Sequence, residues 1–210
     1  IRDRDVTGVQ TCALPICSRG PEGRGRLTNL LSIHMRPPEA NDRLLPGHWE
    51  GDFIKGTRNG SAVGTLVDRK TLFVMLAKMD GCTAQAALEG FATAFGHIDA
   101  TLRKTLTYDQ GKEMALHEQL AERTGLQIYF ADPHSPWQRG INENTNGLLR
   151  QYLPKNEDLS RFTQRELDQI AWALNTRPRK SLGFRTPAEV FFDHCISKRI
   201  TLDPIVALGL

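Results

Sequence analysis

Three acidic residues could do chemistry together if the chain brings them to one place: Asp52, Asp109 and Glu143, with 56 and 33 residues between successive members. Asp52 lies in HWEGDFIK, Asp109 follows TLTY, and Glu143 sits in RGINENTNGLLRQY. Carboxylates that converge without a basic partner repel strongly. At 4 Å and an effective dielectric of about 20, each like pair costs about 4 kcal/mol. Such a group persists only when protonated or bound to cations. An all-oxygen donor set without cysteine favours Mg²⁺ or Mn²⁺. Two such ions about 3.5–4 Å apart would clamp the attacking and leaving oxygens of an in-line displacement at a phosphodiester. One ion activates a water or a 3′-hydroxyl; the other stabilises the leaving 3′-oxygen.

The elements that must position these acids are legible. His48–Lys55, Ser61–Asp68 and Thr71–Met79 read as three strands joined by short turns, hence an antiparallel meander. In the first strand Glu50, Asp52 and Ile54 share one face, and Trp49, Gly51 and Phe53 the other. The period then becomes helical from Thr83 to Phe95, with an apolar stripe of Ala84, Ala87, Leu88, Phe91, Ala94 and Phe95. A strand at Thr105–Tyr108 ends at Asp109. A helix from about Lys112 to Arg123 stops at Gly125, and Leu126–Ala131 is a further strand. This alternation implies right-handed crossovers and parallel strands. Asp132–Lys155 then opens as a turn and becomes a helix, with Ser135 as N-cap, Pro136 at the first helical position and Gln138 completing a capping box. On it Arg139, Glu143, Asn146 and Arg150 share one face; Ile141, Thr145, Leu148, Leu149 and Tyr152 share another. With the first and fourth strands side by side, Asp52 and Asp109 become neighbours, and Glu143 reaches in from the helix across the sheet edge.

Composition sets the frame. A chain of 210 residues, 40% hydrophobic, can bury one good core. The net charge is only +3. Residues 44–132 carry 9 Lys/Arg against 11 Asp/Glu, and residues 133–180 carry 8 against 5. An acidic stretch followed by a basic one suits a carboxylate site beside a polyanion-binding surface. The cysteines (Cys12, Cys17, Cys82, Cys195) form no CxxC, so neither a zinc site nor a disulfide framework is expected, and a reducing cytosol is the natural compartment. No apolar run is long enough to span a membrane. Four stretches are expected: a non-native or disordered tail (1–20), whose opening resembles translated adapter sequence; an extended basic lead-in (21–47) in which Pro37 and Pro38 block a helix; a catalytic core (48–192); and a C-terminal tail (193–210). Within the core, Thr163 with Glu166 and Thr186 with Glu189 mark two more helix starts.

The element order, three meandering strands, then helix, strand, helix, strand, helix, matches the ribonuclease-H-like arrangement. The expected fold is therefore α/β: a mixed five-stranded sheet flanked by helices. HWEGDFIKG, LTYDQGKEMA, DPHSPWQRGINENTNGLLRQYLPK and LNTRPRKSLGFRTPAEVF closely resemble the DDE transposases of bacterial insertion sequences of the IS-thirty type. The resemblance runs from about Arg24 to Phe192. It implies that Asp52, Asp109 and Glu143 are the catalytic, metal-binding triad, with Mg²⁺ or Mn²⁺ as two ions. It implies hydrolysis at transposon ends and strand transfer into target DNA, a homo-oligomer, and a bacterial cytoplasmic, nucleoid-associated protein with no membrane. The family's N-terminal helix-turn-helix region has no counterpart in the stretches read here. Ile141 stands where a small or polar residue is expected. A plain nuclease of the same fold, and a catalytically idle DNA-binding remnant, are the alternatives.

Around the triad, Lys112, Arg139, Arg150 and Lys155 are read as phosphate contacts, and Arg177, Arg179 and Lys180 as a phosphate-contacting turn. Trp137 either stacks on a base or anchors the fold. Asn142 either contacts DNA backbone or orders its helix. Glu50 either touches the metals or is structural. Glu113 reads as an ordinary surface or turn acid.

Overall fold

In the computed structural model, residues 27–201, 203 and 206 are described, so the expected tail at 1–20 lies outside them. The three hydrophobic runs after residue 47 form the meander their alternation predicts. β2 (His48–Lys55) pairs antiparallel with β3 (Ala62–Asp68), and β3 with β4 (Val74–Lys78). β5 (Thr105–Tyr108) lies parallel to β2, and β6 (Gln127–Phe130) parallel to β5. The sheet has six strands, not five, because Leu31–Ser32 (β1) adds parallel to β6. Two residues carry no hydropathy period, so this pairing shows only in the backbone.

Helices cover both faces, and the side chains decide which. On one face α2 (Ala84–Gly96), α3 (His117–Thr124) and α6 (Pro187–Lys198) bury Phe91, Phe95, Leu120 and Phe191 against Trp49, Phe53 and Leu66. On the other, α4 (Gly140–Leu149) and α5 (Gln164–Asn175) bury Ile141, Leu149, Leu167 and Leu174 against Ile54, Val63 and Val67. Trp49 donates its indole N–H to the Leu102 carbonyl at 2.8 Å, so its burial leaves no donor unmet. The edge strand β4 is closed by amides of α5: Asn175 bonds the Val74 N–H and C=O, and Gln164 the Lys78 N–H and Leu76 C=O.

Two of the three predicted capping boxes form, at Thr163/Glu166 and Thr186/Glu189. Elsewhere local expectations give way. Pro38 does not block a helix; it opens α1 (Pro38–Asn41), in the first turn, where a missing N–H costs nothing. The helix expected over 112–123 is a 3₁₀ turn (Lys112–Met114) followed by α3, which ends on left-handed Gly125 at φ 76°. α6 runs on through residue 192 to Lys198, because Phe191 and Cys195 bury one side of it. Among the described residues, no helix is long and apolar enough to cross a membrane.

Candidate active site

The register of β2 against β5 sets the site. Glu50 pairs with Thr107 in parallel. Two residues further along each strand, Asp52 and Asp109 emerge side by side where β5 ends. Gly51 lets β5 approach this closely: a Cβ there would lie 2.8 Å from the Tyr108 ring. After Asp109 the chain turns through Gly111, where a Cβ would fall 2.7 Å from the Glu113 carboxylate and 2.9 Å from Asp109 Oδ1. The turn therefore folds Glu113 back beside Asp109.

The acid pair is not without a basic partner, as the sequence led one to expect. The Arg139 guanidinium lies between the two carboxylates, 3.5 Å from Asp52 Oδ1 and 3.2 Å from Asp109 Oδ2. Its side chain is 9% exposed, and it also donates to the Gly51 carbonyl at 3.3 Å. Arg139 is thus engaged with the acids rather than free to meet phosphate. Asp52 further accepts from the Phe53 N–H (2.8 Å) and from Asn146 Nδ2 (3.0 Å). Burial nevertheless pushes the Asp52 carboxyl above its ordinary range. Arg139 and the Phe53 N–H pull it back, and the charge of Asp109 adds to the rise.

Glu143 stands on the same flank of α4 as Arg139 and Asn146, exposed and without a hydrogen-bond partner among the described residues. There, no group of three or more His, Cys, Asp or Glu side chains is assembled as a ready metal cluster. The acids form a pair bridged by an arginine, and Glu143, exposed on its helix, is not gathered with them as the sequence led one to expect. This donor set fits a hard divalent cation. It is all oxygen, it already shares one cationic group, and Mg²⁺ is commonly held by one or two carboxylates with waters and substrate phosphates supplying the rest.

The other predicted residues separate by exposure. Trp137 is 74% exposed, so it does not anchor the fold. Lys112, Lys155 and Lys180 are exposed, while Arg177 and Arg179 are half-buried. Arg177 donates to the Tyr152 hydroxyl at 2.5 Å. Arg150 is spent on the Lys55 and Leu153 carbonyls, at 3.0 and 3.3 Å, tying the end of α4 to the end of β2. Asn142 is fully buried and does not face a nucleic acid. Its N–H donates to Glu50 Oε2 (2.9 Å), its Nδ2 to the Glu50 carbonyl (2.8 Å), and its Oδ1 accepts from Thr65 (3.0 Å). Glu50 is fully buried, paired with Arg69 and turned toward Asn142, so its part is structural. The predicted capping box at Ser135 does not form. Gln138 instead spans the Asp132 turn, accepting from the Asp132 N–H and donating to its carboxylate, both at 2.8 Å. His48 is buried against Thr105 and Glu39, which makes it a packing residue.

Two residues beside the acids have no signal in the pattern. Glu113 and Lys55 pair at 3.5 Å, with Glu113 14% exposed, next to Asp109. The proximity of Glu113 to the Gly111 turn is the only local hint.

Residues 44–136 match the family model of the integrase core domain. The chain is 60% identical over 173 residues to the transposase for insertion sequence element IS1086 of Cupriavidus metallidurans, covering 82% of this chain and 51% of that one. It is 45% identical over 172 residues to the transposase InsI for IS30A of Escherichia coli, covering 82% and 45%. The chain thus spans about half the length of the curated relatives it matches. Among solved structures, a simian T-cell lymphotropic virus intasome chain superposes with a TM-score of 0.50 at 23% identity, covering 63% of this chain and 49% of that one, a likeness of fold alone. The mixed sheet with its helical layers is thus consistent with a ribonuclease-H-like fold, and residues 44–136 match an integrase core domain in a chain similar to insertion-sequence transposases.

Proposed function

We propose that this chain is the catalytic core of a DNA transposase, acting on double-stranded DNA through Asp52, Asp109 and Glu143 with Mg²⁺ or Mn²⁺ as two ions. One observation carries the reading. Two carboxylates from adjacent parallel strands converge on a single cationic group, 3.5 and 3.2 Å away, at an open strand end. A structural ion pair needs one acid for one arginine. Two acids on one guanidinium leave negative charge uncompensated, and that excess is what a divalent cation would neutralise. Bound there, divalent ions would supply a nucleophilic oxygen at neutral pH and stabilise the leaving 3′-oxygen.

The chain's own residues have separate tasks. Asp52 and Asp109 present ligand oxygens. The Phe53 N–H and Asn146 fix the Asp52 rotamer, and the Gly111 N–H fixes Asp109 at 3.1 Å. Glu143, one helical turn beyond Arg139 in sequence, would close on a cation held by the pair. Lys112, Lys155 and Trp137 are exposed, and in this reading they would meet the approaching DNA strand. Hydrolysis at transposon ends, joining to target DNA, action as a homo-oligomer and a cytoplasmic, nucleoid-associated location follow from the same reading. The names of the relatives, transposases of insertion sequences, support it.

The test is cleavage and joining on a labelled transposon-end duplex with Mg²⁺. The expected result is both products from the wild type and neither from Asp109→Asn. Hydrolysis without joining would favour the plain nuclease. Binding without turnover at any metal concentration would favour the idle remnant. Unchanged activity in Asp109→Asn would refute the triad.

A further inference from the structure

On the far side of α4 from the acid pair lies a second feature. A cleft of about 680 Å³ opens between the segment after α1, the turn at Leu72, the first turns of α4 and the loop after α5. Arg43, Arg179, Lys180, Asn144 and Ser181 line it, and no carboxylate does. Its cations come from two separate parts of the chain. Arg43 follows α1 and is held at φ 53°, a region that residues with a Cβ rarely adopt. Arg179 and Lys180 belong to a loop closed by two 2.9 Å hydrogen bonds, Arg179 N–H to the Arg185 carbonyl and Phe184 N–H to the Arg179 carbonyl.

Several cations elsewhere on the surface are paired with acids. Arg123 pairs with Glu89, Arg161 with Glu157, Arg185 with Asp193 and Lys55 with Glu113. Among the described residues, Arg43, Arg179 and Lys180 have no carboxylate partner. The Nε of Arg179 is buried without any hydrogen-bond partner. Arg43 also lies near enough to Arg36 and Arg69 to add to the lowering that burial imposes on both. Like charges gathered without counter-charge raise one another's energy and are relieved by an anion.

α4 separates this cleft from the acids. Arg139 and Asn146 point to the acid pair, and Gly140 and Asn144 to the cleft. Between them runs the exposed ridge of Glu143 and Gly147. A helix with its side chains is about 10–12 Å across, similar to the roughly 12 Å major groove. A nucleic-acid backbone in the cleft would therefore be a different one from the strand at Asp52 and Asp109.

We propose that the cleft formed by Arg43, Arg179 and Lys180 binds the phosphodiester backbone of a DNA strand other than the one at the acid pair. The proposal rests on the transposase reading for its ligand and adds a second place of contact. Phosphates bound there are recognised by charge, so the contact is independent of sequence and sensitive to salt.

The experiment is fluorescence anisotropy of the full chain with a labelled duplex, in EDTA, across a salt series. The Arg43→Ala/Lys180→Ala double variant changes two exposed residues, and Arg123→Ala serves as a control distant in sequence and paired with Glu89. The double variant should bind about tenfold more weakly, with a log–log salt slope reduced by about 1.8, as for two lost phosphate contacts. Arg123→Ala should stay within about twofold, and Arg43→Lys/Lys180→Arg should bind like wild type. An unchanged slope in the double variant, or equal losses in the control, would overturn the proposal. Matching thermal melts exclude misfolding as the cause of a loss. A wild type that binds with cleft-dependent slope but never cuts DNA would support the cleft while refuting the transposase reading. Cutting with a cleft-independent slope would do the reverse.

Discussion

Glu50 and Asp52 sit two residues apart on one face of one strand, yet their surroundings are opposite. Glu50 is fully buried, paired with Arg69 and accepting from the Asn142 N–H. Arg69 in turn donates to the Ala40 carbonyl at 2.9 Å. Every strong group near Glu50 is satisfied by protein. Asp52 is partly open, shares its one arginine with Asp109, and has its carboxyl pushed upward by burial. The first acid welds α4 to the sheet; the second is left in want of positive charge. What distinguishes the structural carboxylate from the one proposed as catalytic is the balance of partners. Position along the strand and residue type are nearly the same.

That contrast can be broken experimentally. The largest effect on stability should come from Glu50→Ala. It strands the buried Arg69 guanidinium and frees the start of α4, and a broken buried pair costs about 3–5 kcal/mol. Chemical denaturation should show this as a lower midpoint at unchanged slope. Asp52→Asn should do the opposite: DNA cleavage with Mg²⁺ falls about 10³-fold, as expected if several kcal/mol of metal-assisted stabilisation is lost, with the melting temperature kept or raised. If both substitutions unfold the protein equally, the distinction between the two acids is wrong.

Arg139→Gln sharpens the comparison. In the protein without DNA, a divalent ion at the proposed site would compete with the guanidinium for the same two carboxylates. Removing one charge-assisted contact should tighten Mn²⁺ binding about tenfold, read by electron paramagnetic resonance of free Mn²⁺. Weaker Mn²⁺ binding would mean that Arg139 orders the acids rather than competing for them.

The smallest effect is on pH dependence. Asp52 has a folded pKa above its ordinary 3.8, so the folded state keeps that proton to higher pH than the unfolded chain. Its contribution is therefore favourable below that value and is lost as pH rises through the folded pKa. Asp52→Asn should remove this loss, giving a flatter stability profile from about pH 3.8 upward than the wild type shows. Identical profiles would place the shift elsewhere.

Much of this was legible because it is local. The bounds of β2 and β5 are those read from alternation, and the two capping boxes follow from spacing alone. The adjacency of Asp52 and Asp109 was legible from strand order. What was not legible depends on tertiary partners. Arg139 lies on the predicted polar face of its helix, but only the register of β2 and β5 shows that it turns to the acids. Asn142 looks like one more surface amide until Glu50 and Thr65 bury it. Gln138 has the spacing of a capping residue, and the Asp132 turn outcompetes the helix end for its amide. β1 joins by backbone pairing that no side-chain pattern announces.

The account turns on whether Asp52 and Asp109 hold a divalent cation. The most direct measurement is anomalous diffraction from crystals grown or soaked with Mn²⁺. The account predicts a peak within ligand distance of one carboxylate oxygen from each acid, with the Arg139 guanidinium drawn away from them. A fully soaked crystal with no peak there, or with Arg139 still bridging the two acids, would contradict it.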